Sequence, residues 1–236
     1  MLDLSARQRL YVYLCAVFLT ALLIGDTIGS KLFTLDLPFG ITTLHCTLSV
    51  GAIWFPITFL LTDVINEFYG SKGARFVTFL GFWMAILSFL IILAARYIPA
   101  ADSFSPVKQD TFNNVLGNAN RVFVASLVAY LVGQLVDIAI FQAAKRLTQS
   151  RHIWLRSTGS TLISQLVDTV IVTYVAFYGQ IPTARLHQAA TTSYVVKVML
   201  AVGLTPVIYA LHAVIHRRMH IEEHPADAQR VHVEIP

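Results

Sequence analysis

Six apolar stretches, each about as long as a bilayer is thick, dominate this chain of 236 residues. They run approximately over Leu10–Ile28, Thr43–Leu61, Arg75–Tyr97, Val122–Ala144, Thr158–Tyr178 and Thr191–Ile215. A transmembrane helix needs about 20 mostly apolar residues. Because lipid offers backbone groups no partner, such stretches are expected to be helical. Charged residues make up 13% of the chain, against about 25% in soluble domains. The sequence therefore predicts an all-α polytopic membrane protein with six transmembrane helices.

The distribution of basic residues predicts the orientation of these helices. If the N-terminus is inside, the inner loops and termini hold 11 of the 17 Lys and Arg residues. An excess of Lys and Arg marks the cytoplasmic side of a membrane protein, so both termini are predicted to be cytoplasmic. Residues 1–216 then form one six-helix transmembrane domain, and residues 217–236 form a polar tail that we expect to be disordered.

The tetrad Gln-Leu-Val-Asp occurs twice inside these stretches, at residues 134–137 and 165–168. A carboxylate in the middle of a transmembrane helix costs about 3 kcal/mol or more. Gln134 shares a helical face with Asp137, and Gln165 with Asp168, because residues three apart face the same side. The fourth and fifth helices form an antiparallel hairpin, with the two acids expected at similar depths, roughly 10 and 15 Å from its inner end. This inverted arrangement is typical of transporter sites. The alternative is that the acids only join helices by hydrogen bonds.

A second acidic cluster closes the second helix. Asp63 and Glu67 are four residues apart and share a face, with Asn66 close by. Like charges at this spacing repel each other, so they need solvent, a cation or hydrogen-bond donors. The sequence leaves two interpretations open: part of a binding site, or a solvated helix end beside Lys72 and Arg75.

Three basic residues lie in or beside the later apolar stretches: Arg121, Arg156 and Lys197. For Arg121 and Lys197, the residues alone favour side chains that extend to the membrane interface. Pro56 and Pro206 lie inside predicted helices, where proline bends the helix and frees carbonyls. Such a bend can line a cavity or only curve a packed helix.

The sequence argues against most kinds of catalysis. It has no Gly-x-x-x-x-Gly-Lys-Ser/Thr loop for ATP, no His and Cys spacing that matches a zinc site, and no Gly-x-Ser-x-Gly motif. An intramembrane protease built on Asp137 and Asp168 remains as an enzyme hypothesis, but the Gly-x-Gly-Asp context of such enzymes is absent. We therefore predict that the protein is not an enzyme and holds neither a metal nor a cofactor.

These residues resemble the queuosine precursor transporter family over nearly the whole apolar span, from about Leu10 to Ile215. The most specific matches are the segment from Thr62 to Gly70; Arg121 with Ala125, Ser126, Gln134 and Asp137; Trp154 to Arg156 with Ser160, Thr161, Gln165 and Asp168; and Lys197 with Pro206 and Tyr209. Ser157 stands where the family often has asparagine, and either residue caps a helix well.

The resemblance implies a multi-pass protein of the bacterial inner membrane that imports 7-deazaguanine precursors of queuosine, such as preQ0 and preQ1. The implied substrate-binding residues are Asp63, Asn66, Glu67, Arg121, Gln134, Asp137, Arg156, Gln165, Asp168 and Lys197. A carboxylate can accept both donors of a guanine-like edge, and an amide can pair with a carbonyl and a donor together. A second carboxylate would neutralise the aminomethyl cation of preQ1. The implied partners are this purine-like small molecule and the lipid bilayer, without nucleic acid, and a homo-oligomer is allowed.

Two kinds of transporter remain open. The first is a standalone secondary transporter, whose acids bind substrate, carry protons or do both. The second is a substrate-binding membrane subunit that depends on a separate ATPase. Such subunits resemble one another in an Ala-x-x-x-Ala docking pattern on the first helix, whereas Ala16 and Ala21 are five residues apart here. The standalone transporter is our first hypothesis, and an intramembrane enzyme is a distant third.

Overall fold

The computed structural model describes residues 5–39, 42–101, 104–117, 120–148, 153–179 and 182–219. The helices are α1 (Ala6–Thr27), α2 (Gly51–Tyr97), α3 (Gln109–Leu116), α4 (Asn120–Leu147), α5 (Ile153–Phe177), α6 (Thr183–Gly203) and α7 (Thr205–Met219). A 3-10 turn (Ile28–Ser30) and the strands β1 (Leu32–Phe39) and β2 (Thr42–Ser49) connect α1 to α2. Five helical stretches of the described chain are long and apolar enough to cross a membrane. The protein is an all-α polytopic membrane protein with one small β hairpin in its described part.

The first helix has a capped start and one buried stripe. Ser5 Oγ accepts a hydrogen bond from the Gln8 backbone N–H (3.3 Å), and Gln8 Oε1 accepts one from the Ser5 N–H (2.9 Å). This capping box satisfies N–H groups that have no partner within the helix. The stripe that packs α1 into the core repeats every four residues: Leu10, Leu14, Phe18 and Leu22.

Gly70 divides α2 into two helices. Its φ of 73° and ψ of 179° interrupt the helix, and this backbone region is essentially restricted to glycine. We call the part over residues 51–69 α2a and the part over residues 71–97 α2b. At 1.5 Å per residue, α2a is about 28 Å long, which matches the hydrocarbon core of a bilayer.

Contacts with α1 show that α2a and α2b run in opposite directions. The last turn of α1 lies against the start of α2a, where a Cβ added at Gly51 would come within 2.3 Å of the Gly25 carbonyl oxygen. Near the start of α1, the Tyr11 hydroxyl donates to the Gly73 carbonyl (2.8 Å), whereas Phe18 lies farther along α2b, against Gly81. α2a is therefore antiparallel to α1, and α2b returns parallel to it. When α2 is divided at Gly70, the described part of the chain has six segments of about crossing length: α1, α2a, α2b, α4, α5 and the α6–α7 pair.

The prediction that the second helix begins at Thr43 is wrong. The segment Thr42–Ser49 forms β2, which pairs antiparallel with β1 so that Leu32 lies opposite Ser49, and helix α2 begins at Gly51. Three of the eight residues of β2 are threonine, which fits strands better than helices because it is branched at Cβ. Apolar content alone does not distinguish such a strand from a helical turn.

The predicted sixth helix, Thr191–Ile215, is two helices in the structure. α6 begins earlier, at Thr183, and ends at Gly203, and α7 begins at Thr205. Pro206 consequently lies in the first turn of α7, where its missing N–H needs no partner. Leu204 joins the two helices with helical backbone angles (φ −83°, ψ −8°), so the proline lies beside a bend in one helical stretch, Thr183–Arg217, that is long enough to cross a membrane.

The helices that follow α2 pack as antiparallel neighbours. The Tyr130 hydroxyl of α4 donates to the Thr78 carbonyl of α2b (2.9 Å). On the other side of α5, the Tyr194 hydroxyl of α6 donates to the Leu162 carbonyl (3.2 Å). Helix α5 therefore lies between α4 and α6, with α4 against α2.

The start of α1 and the end of α7 lie at the same end of the bundle, which we call the N-terminal end. Both contact Phe68: Arg7 Nη2 donates to its carbonyl (2.6 Å), and the His212 ring lies 5.5 Å from its ring, centroid to centroid. This arrangement agrees with termini on one side of the membrane. Their cytoplasmic location stays a prediction, and residues 220–236 of the predicted tail lie outside the described residues.

Candidate functional site

The two Gln-Leu-Val-Asp tetrads face each other across α4 and α5. A Cβ added at Gly133 would lie 3.3 Å from the Asp168 Cβ, and the Ser164 hydroxyl donates to Asp137 Oδ1 (2.9 Å). In an antiparallel pair, these contacts place the two tetrad glutamines within about two residues of each other along the helix axes, roughly 3 Å. Asp137 lies about four residues, roughly 6 Å, closer to the N-terminal end than Asp168.

The sequence predicts depths of roughly 10 and 15 Å for the two acids, with Asp137 nearer the end of the hairpin. The contacts agree with this order and give a similar offset, roughly 6 Å. Because α4 ends at Leu147 and α5 begins at Ile153, beyond the predicted ends at Ala144 and Thr158, both acids lie deeper than predicted.

Both tetrad glutamines are buried without partners. Gln134 is 0% and Gln165 is 1% exposed. Neither side-chain amide has a hydrogen-bond partner among the described residues, at nitrogen or at oxygen. A buried polar group left unsatisfied costs about 1–3 kcal/mol, so each such group in a folded protein calls for an explanation. A polar ligand between α4 and α5 would supply one.

Asp168 forms a buried ion pair with Lys197. Lys197 Nζ lies 2.6 Å from Asp168 Oδ2 and 3.3 Å from the Thr169 hydroxyl. Lys197 is only 6% exposed, so the interpretation that its side chain extends to the membrane interface is wrong. An acid on the neighbouring helix stabilises the ammonium group inside the protein, where an unpaired charge would be costly.

Asp63 of α2a meets Asp137 of α4 inside the bundle. Their carboxyl groups are in hydrogen-bonding contact, and the two residues are 1% and 0% exposed. The Ser157 hydroxyl donates to Asp63 Oδ2, and the Ser164 hydroxyl donates to Asp137 Oδ1. Asp63 Oδ1 and Asp137 Oδ2 have no hydrogen-bond donor among the described residues.

Glu67 lies in a buried ion cluster at the N-terminal end of the bundle. Arg156 Nη2 is 2.5 Å from Glu67 Oε1, and Lys145 Nζ is 3.1 Å from Glu67 Oε2. All three residues are 1% exposed, whereas Lys72 and Arg75 are on the surface. The interpretation of a solvated helix end is therefore wrong, because the neutralising cations come from α4 and α5.

The break at Gly70 explains why cations gather around the end of α2a. A helix that stops leaves its last carbonyls without partners inside the helix. Lys145 Nζ donates to the Glu67 carbonyl (3.1 Å), and Arg7 donates to the Phe68 carbonyl (2.6 Å). Cations are also favourable at this end of the helix dipole, so the interruption of α2 and the position of these side chains belong together.

Asn66 connects α2a to α4. Gln142 Nε2 donates to Asn66 Oδ1 (2.6 Å), and Asn66 Nδ2 donates to the Ile138 carbonyl (3.4 Å). Both ends of the Asn66 amide are thus bonded to α4. Its place in the structure is a crosslink beside the acidic pair.

Nine of the ten predicted site residues have described side chains, and all nine are buried. The exception is Arg121, which lies in the first turn of α4 at the opposite end from Lys145, and whose side chain is outside the described part of the chain. The structure brings the others into three neighbouring groups: Asp63 with Asp137 and Asn66; Glu67 with Arg156; and Gln134, Gln165, Asp168 and Lys197.

The hydroxyl groups of α5 and the Lys145 side chain belong to the site but are not among the predicted binding residues. Four buried hydroxyl residues precede Asp168 on α5 at helical spacing: Ser157, Ser160, Thr161 and Ser164. A search for polar residues with helical periodicity finds them. Lys145 follows Asp137 by about two turns on the same face, although it was counted only for topology.

Acids, amides, hydroxyls and cations are enclosed here by helices that face lipid with apolar side chains, among them Trp83, Ile91, Val128 and Ile163. Ionisable groups in the interior of a membrane bundle mark the pathway of a polar solute or ion. The fold and the site therefore define a membrane transporter.

Comparisons with known proteins agree with this class. Residues 49–211 match the family described as "Putative vitamin uptake transporter". The chain is 34% identical over 166 residues to the "Probable queuosine precursor transporter" of Bacillus subtilis (strain 168), with 70% of this chain and 71% of that protein covered. It is 31% identical over 179 residues to the "Queuosine precursor transporter" of Escherichia coli (strain K12), with 74% and 76% covered.

A third relative, the "Probable queuosine precursor transporter" of Haemophilus influenzae (strain ATCC 51907 / DSM 11121 / KW20 / Rd), is 29% identical over 128 residues, with 54% of this chain and 51% of that protein covered. No solved structure matches the chain. The chain belongs to the vitamin uptake transporter family matched over residues 49–211. It is a transporter and not an enzyme, and a multi-pass protein of the bacterial inner membrane.

Proposed function

We propose that this protein imports 7-deazaguanine precursors of queuosine, such as preQ0 and preQ1, and that Gln134, Gln165 and Asp168 bind the base. Support for the substrate class comes from relatives that are named queuosine precursor transporters. Support for the residues comes from one observation above all: two buried glutamine amides on neighbouring helices lack partners within the described chain.

The chemistry of a deazaguanine suits these side chains. Its guanine-like edge presents a ring N–H and an exocyclic amine, which one carboxylate can accept together, while each glutamine offers both a carbonyl and two donors. Gln134 lies on α4 and Gln165 on the neighbouring helix α5. A flat base bound between them can therefore form hydrogen bonds with both helices. Lys197, at 2.6 Å from Asp168 Oδ2, fixes the direction of that carboxyl group.

We assign a supporting role, and not contact with the base, to five other predicted site residues: Asp63, Asn66, Glu67, Asp137 and Arg156. They contact one another and the neighbouring helices instead of leaving whole side chains unsatisfied. They lie on the N-terminal side of the base-binding residues and, in this proposal, do not contact the base. A direct contact between Arg121 and substrate stays a prediction from the resemblance.

Uptake by living cells tests the substrate class. The chain is expressed in a bacterium that cannot make preQ0 and lacks its own transporter, preQ0 or preQ1 is supplied, and queuosine is measured in tRNA. We expect restoration without any added ATPase subunit. No restoration by either precursor, despite confirmed membrane expression, would contradict the substrate class. Restoration that requires an ATPase subunit would favour the alternative of a membrane subunit.

Substitution of the amides tests the site. Gln165→Leu and Gln134→Leu remove hydrogen-bonding atoms, and we expect uptake at limiting substrate to fall about tenfold or more, since a lost buried hydrogen bond is worth about 1.5 kcal/mol. Asp168→Asn should lower uptake as well. Because the replaced amides have no partner among the described residues, the thermal unfolding temperature in detergent should not fall.

The matched control is Gln188→Leu, which makes the same change at an exposed position on α6. It should transport like the parent protein. If Gln134→Leu and Gln165→Leu both transport as well as the control, the tetrad glutamines do not bind substrate.

A further inference from the structure

We propose that Asp63 and Asp137 share one proton and form the proton-binding site that couples uptake to the proton gradient. This inference rests on the proposed function, because it concerns how that transport is driven. It assigns to the pair a role separate from binding of the base, which belongs to the glutamines and Asp168 one to two turns away.

The first argument is the contact between the two carboxyl groups. They meet inside the bundle, and their oxygens Asp63 Oδ1 and Asp137 Oδ2 receive no hydrogen from any described residue. Two ionised carboxylates in contact repel each other strongly where water is excluded, so such a pair holds one proton between them. The proton converts repulsion into a hydrogen bond and belongs to the pair as a whole.

The second argument is the balance of buried charge. Among the described residues, the buried acids are Asp63, Glu67, Asp137 and Asp168, and the buried bases are Lys145, Arg156 and Lys197. Glu67 is engaged by two of the bases and Asp168 by the third. Four acids and three bases carry a net charge of −1, so one added proton makes the set neutral. The Asp63–Asp137 pair is the place where that proton can bind, because the other two acids are already paired with bases.

The side chains around the Asp63–Asp137 pair are compatible with both its protonated and its deprotonated form. The α5 face that meets it carries hydroxyl groups and no charge: Ser157, Ser160, Thr161 and Ser164. Hydroxyl groups can donate to a carboxylate or accept from a protonated carboxyl group by rotating. The nearest charged group on α2a is Glu67, which is already held by its two cations. The pair can therefore gain or lose a proton without breaking an ion pair of its own.

The third argument is a route to the pair. A small, partly open cavity lies where α6 ends and α7 begins, and Asp63 is part of its wall. Its polar lining is Asp63, Ser157, Thr158, Thr161 and Thr205, with the Thr158 and Thr205 hydroxyls 3.0 Å apart. A cavity lined by several hydroxyl groups satisfies water molecules, and water conducts protons to a buried acid.

The transport step follows from this arrangement. One proton from outside binds the pair, whose charge changes from −2 to −1, and one precursor molecule binds at the glutamines. Both are released inside, and the pair returns to −2. If one proton accompanies each neutral precursor, a gradient of about one pH unit supports about tenfold accumulation.

Proteoliposomes that contain the full chain separate coupling from transport itself. Radiolabelled preQ0, which is neutral, is the probe. Exchange of labelled for unlabelled preQ0 needs no gradient and reads out the proposed function. Net accumulation is then measured with an inside-alkaline pH gradient, with an inward sodium gradient, and with neither. We expect accumulation only with the pH gradient, and loss of accumulation but not of exchange when a protonophore is added.

Asp137→Asn and Asp63→Asn test the pair. An amide can hydrogen-bond the remaining carboxylate, so either variant resembles the proton-bound pair permanently. We expect both variants to retain exchange and to lose pH-driven accumulation, whereas Asp110→Asn, an exposed acid on α3, changes neither. Infrared spectroscopy supplies a measurement that does not depend on transport: the C=O stretch of a protonated carboxyl group at neutral pH, sensitive to D₂O and missing in Asp137→Asn.

The outcomes are distinct for the two proposals. If the parent protein does not exchange preQ0, the proposed substrate is wrong. If it exchanges preQ0 but accumulates it with sodium instead of protons, or if both Asn variants accumulate it normally, the proton inference is overturned. The same holds if the infrared spectra of the parent protein and of Asp137→Asn show no difference in a protonated carboxyl group.

Discussion

Individual buried side chains neutralise the charged groups inside this helix bundle. Glu67 illustrates the point, since one carboxylate receives Arg156 at 2.5 Å and Lys145 at 3.1 Å, all within a protein interior. Taking charges out of water is costly, and geometry this close is what offsets the cost. Each member of the cluster therefore depends on the others.

Glu67→Gln should lower stability strongly. Two cations from α4 and α5 would then be buried without a counter-charge, and breaking a buried ion pair in this way costs about 3–5 kcal/mol. The measurement is unfolding of the detergent-solubilised protein, by heat or denaturant, with Asp110→Asn as the control for loss of an exposed acid. Equal stability of the two variants would show that the cluster does not hold the bundle together.

The sequence predicts which residues are polar and buried far better than it predicts their partners. The cost of an acid in lipid identifies Asp137 and Asp168 from the sequence alone. The partner of Asp168 is Lys197, 29 residues away on another helix, and nothing in its local sequence distinguishes it from a lysine at the membrane interface. Pairing depends on helix rotation and register, which arise only when the bundle packs.

At the scale of elements, the path of the chain depends more on where the helices are interrupted than on how long they are. The stretch Gly51–Tyr97 is one run of helix by hydrogen bonding, yet Gly70 turns it into two antiparallel segments. The sequence analysis separated these two segments because the charged residues between them interrupt the apolar run. It placed their ends poorly, since helix ends depend on caps and neighbouring strands as much as on apolar content.

Gly70→Ala should destabilise the protein, by about 1–3 kcal/mol, because a Cβ is disfavoured at φ 73°. Gly159→Ala is the matched control: Gly159 lies within α5, and a Cβ there would meet only the Leu155 Cδ1, at 4.0 Å. Alanine in a helix interior is favoured over glycine by about 0.5–1 kcal/mol, so the control should be slightly more stable than the parent. Thermal unfolding in detergent compares them, and a Gly70→Ala protein as stable as the control would contradict the strained turn.

At the scale of the whole molecule, the contacts of Phe68 with Arg7 and His212 bring the two ends of the described chain together. Topology is the property that sequence predicts most directly here, because a count of Lys and Arg needs no packing. The count predicts that this shared end is cytoplasmic. The structure adds that the two ends of the described chain lie together at one end of the bundle.

Reporter fusions test that orientation. A fluorescent protein that matures only in the cytoplasm, attached before Met1 in one strain and after Pro236 in another, should be bright in both. An enzyme reporter active only in the periplasm, attached at the same two places, should be inactive in both, and fusion at Asp110 of α3 serves as the opposite control. Fluorescence from only one of the two fusions would contradict the prediction that both termini lie on the same side of the membrane. No fluorescence from either fusion would show that both termini face the periplasm.

Glu67 is synthesised long before the residues that neutralise it. Lys145 follows 78 residues later and Arg156 follows 89 residues later, which at a translation rate of about 5–20 residues per second corresponds to roughly 4–18 s. The interval is longer for Asp63, because its hydrogen-bond donor Ser157 is synthesised 94 residues later. During this interval the end of α2a carries two acids without counterparts, and its stable place is the membrane surface, where water solvates them. We therefore expect the second crossing segment to complete its insertion late, together with the hairpin of α4 and α5.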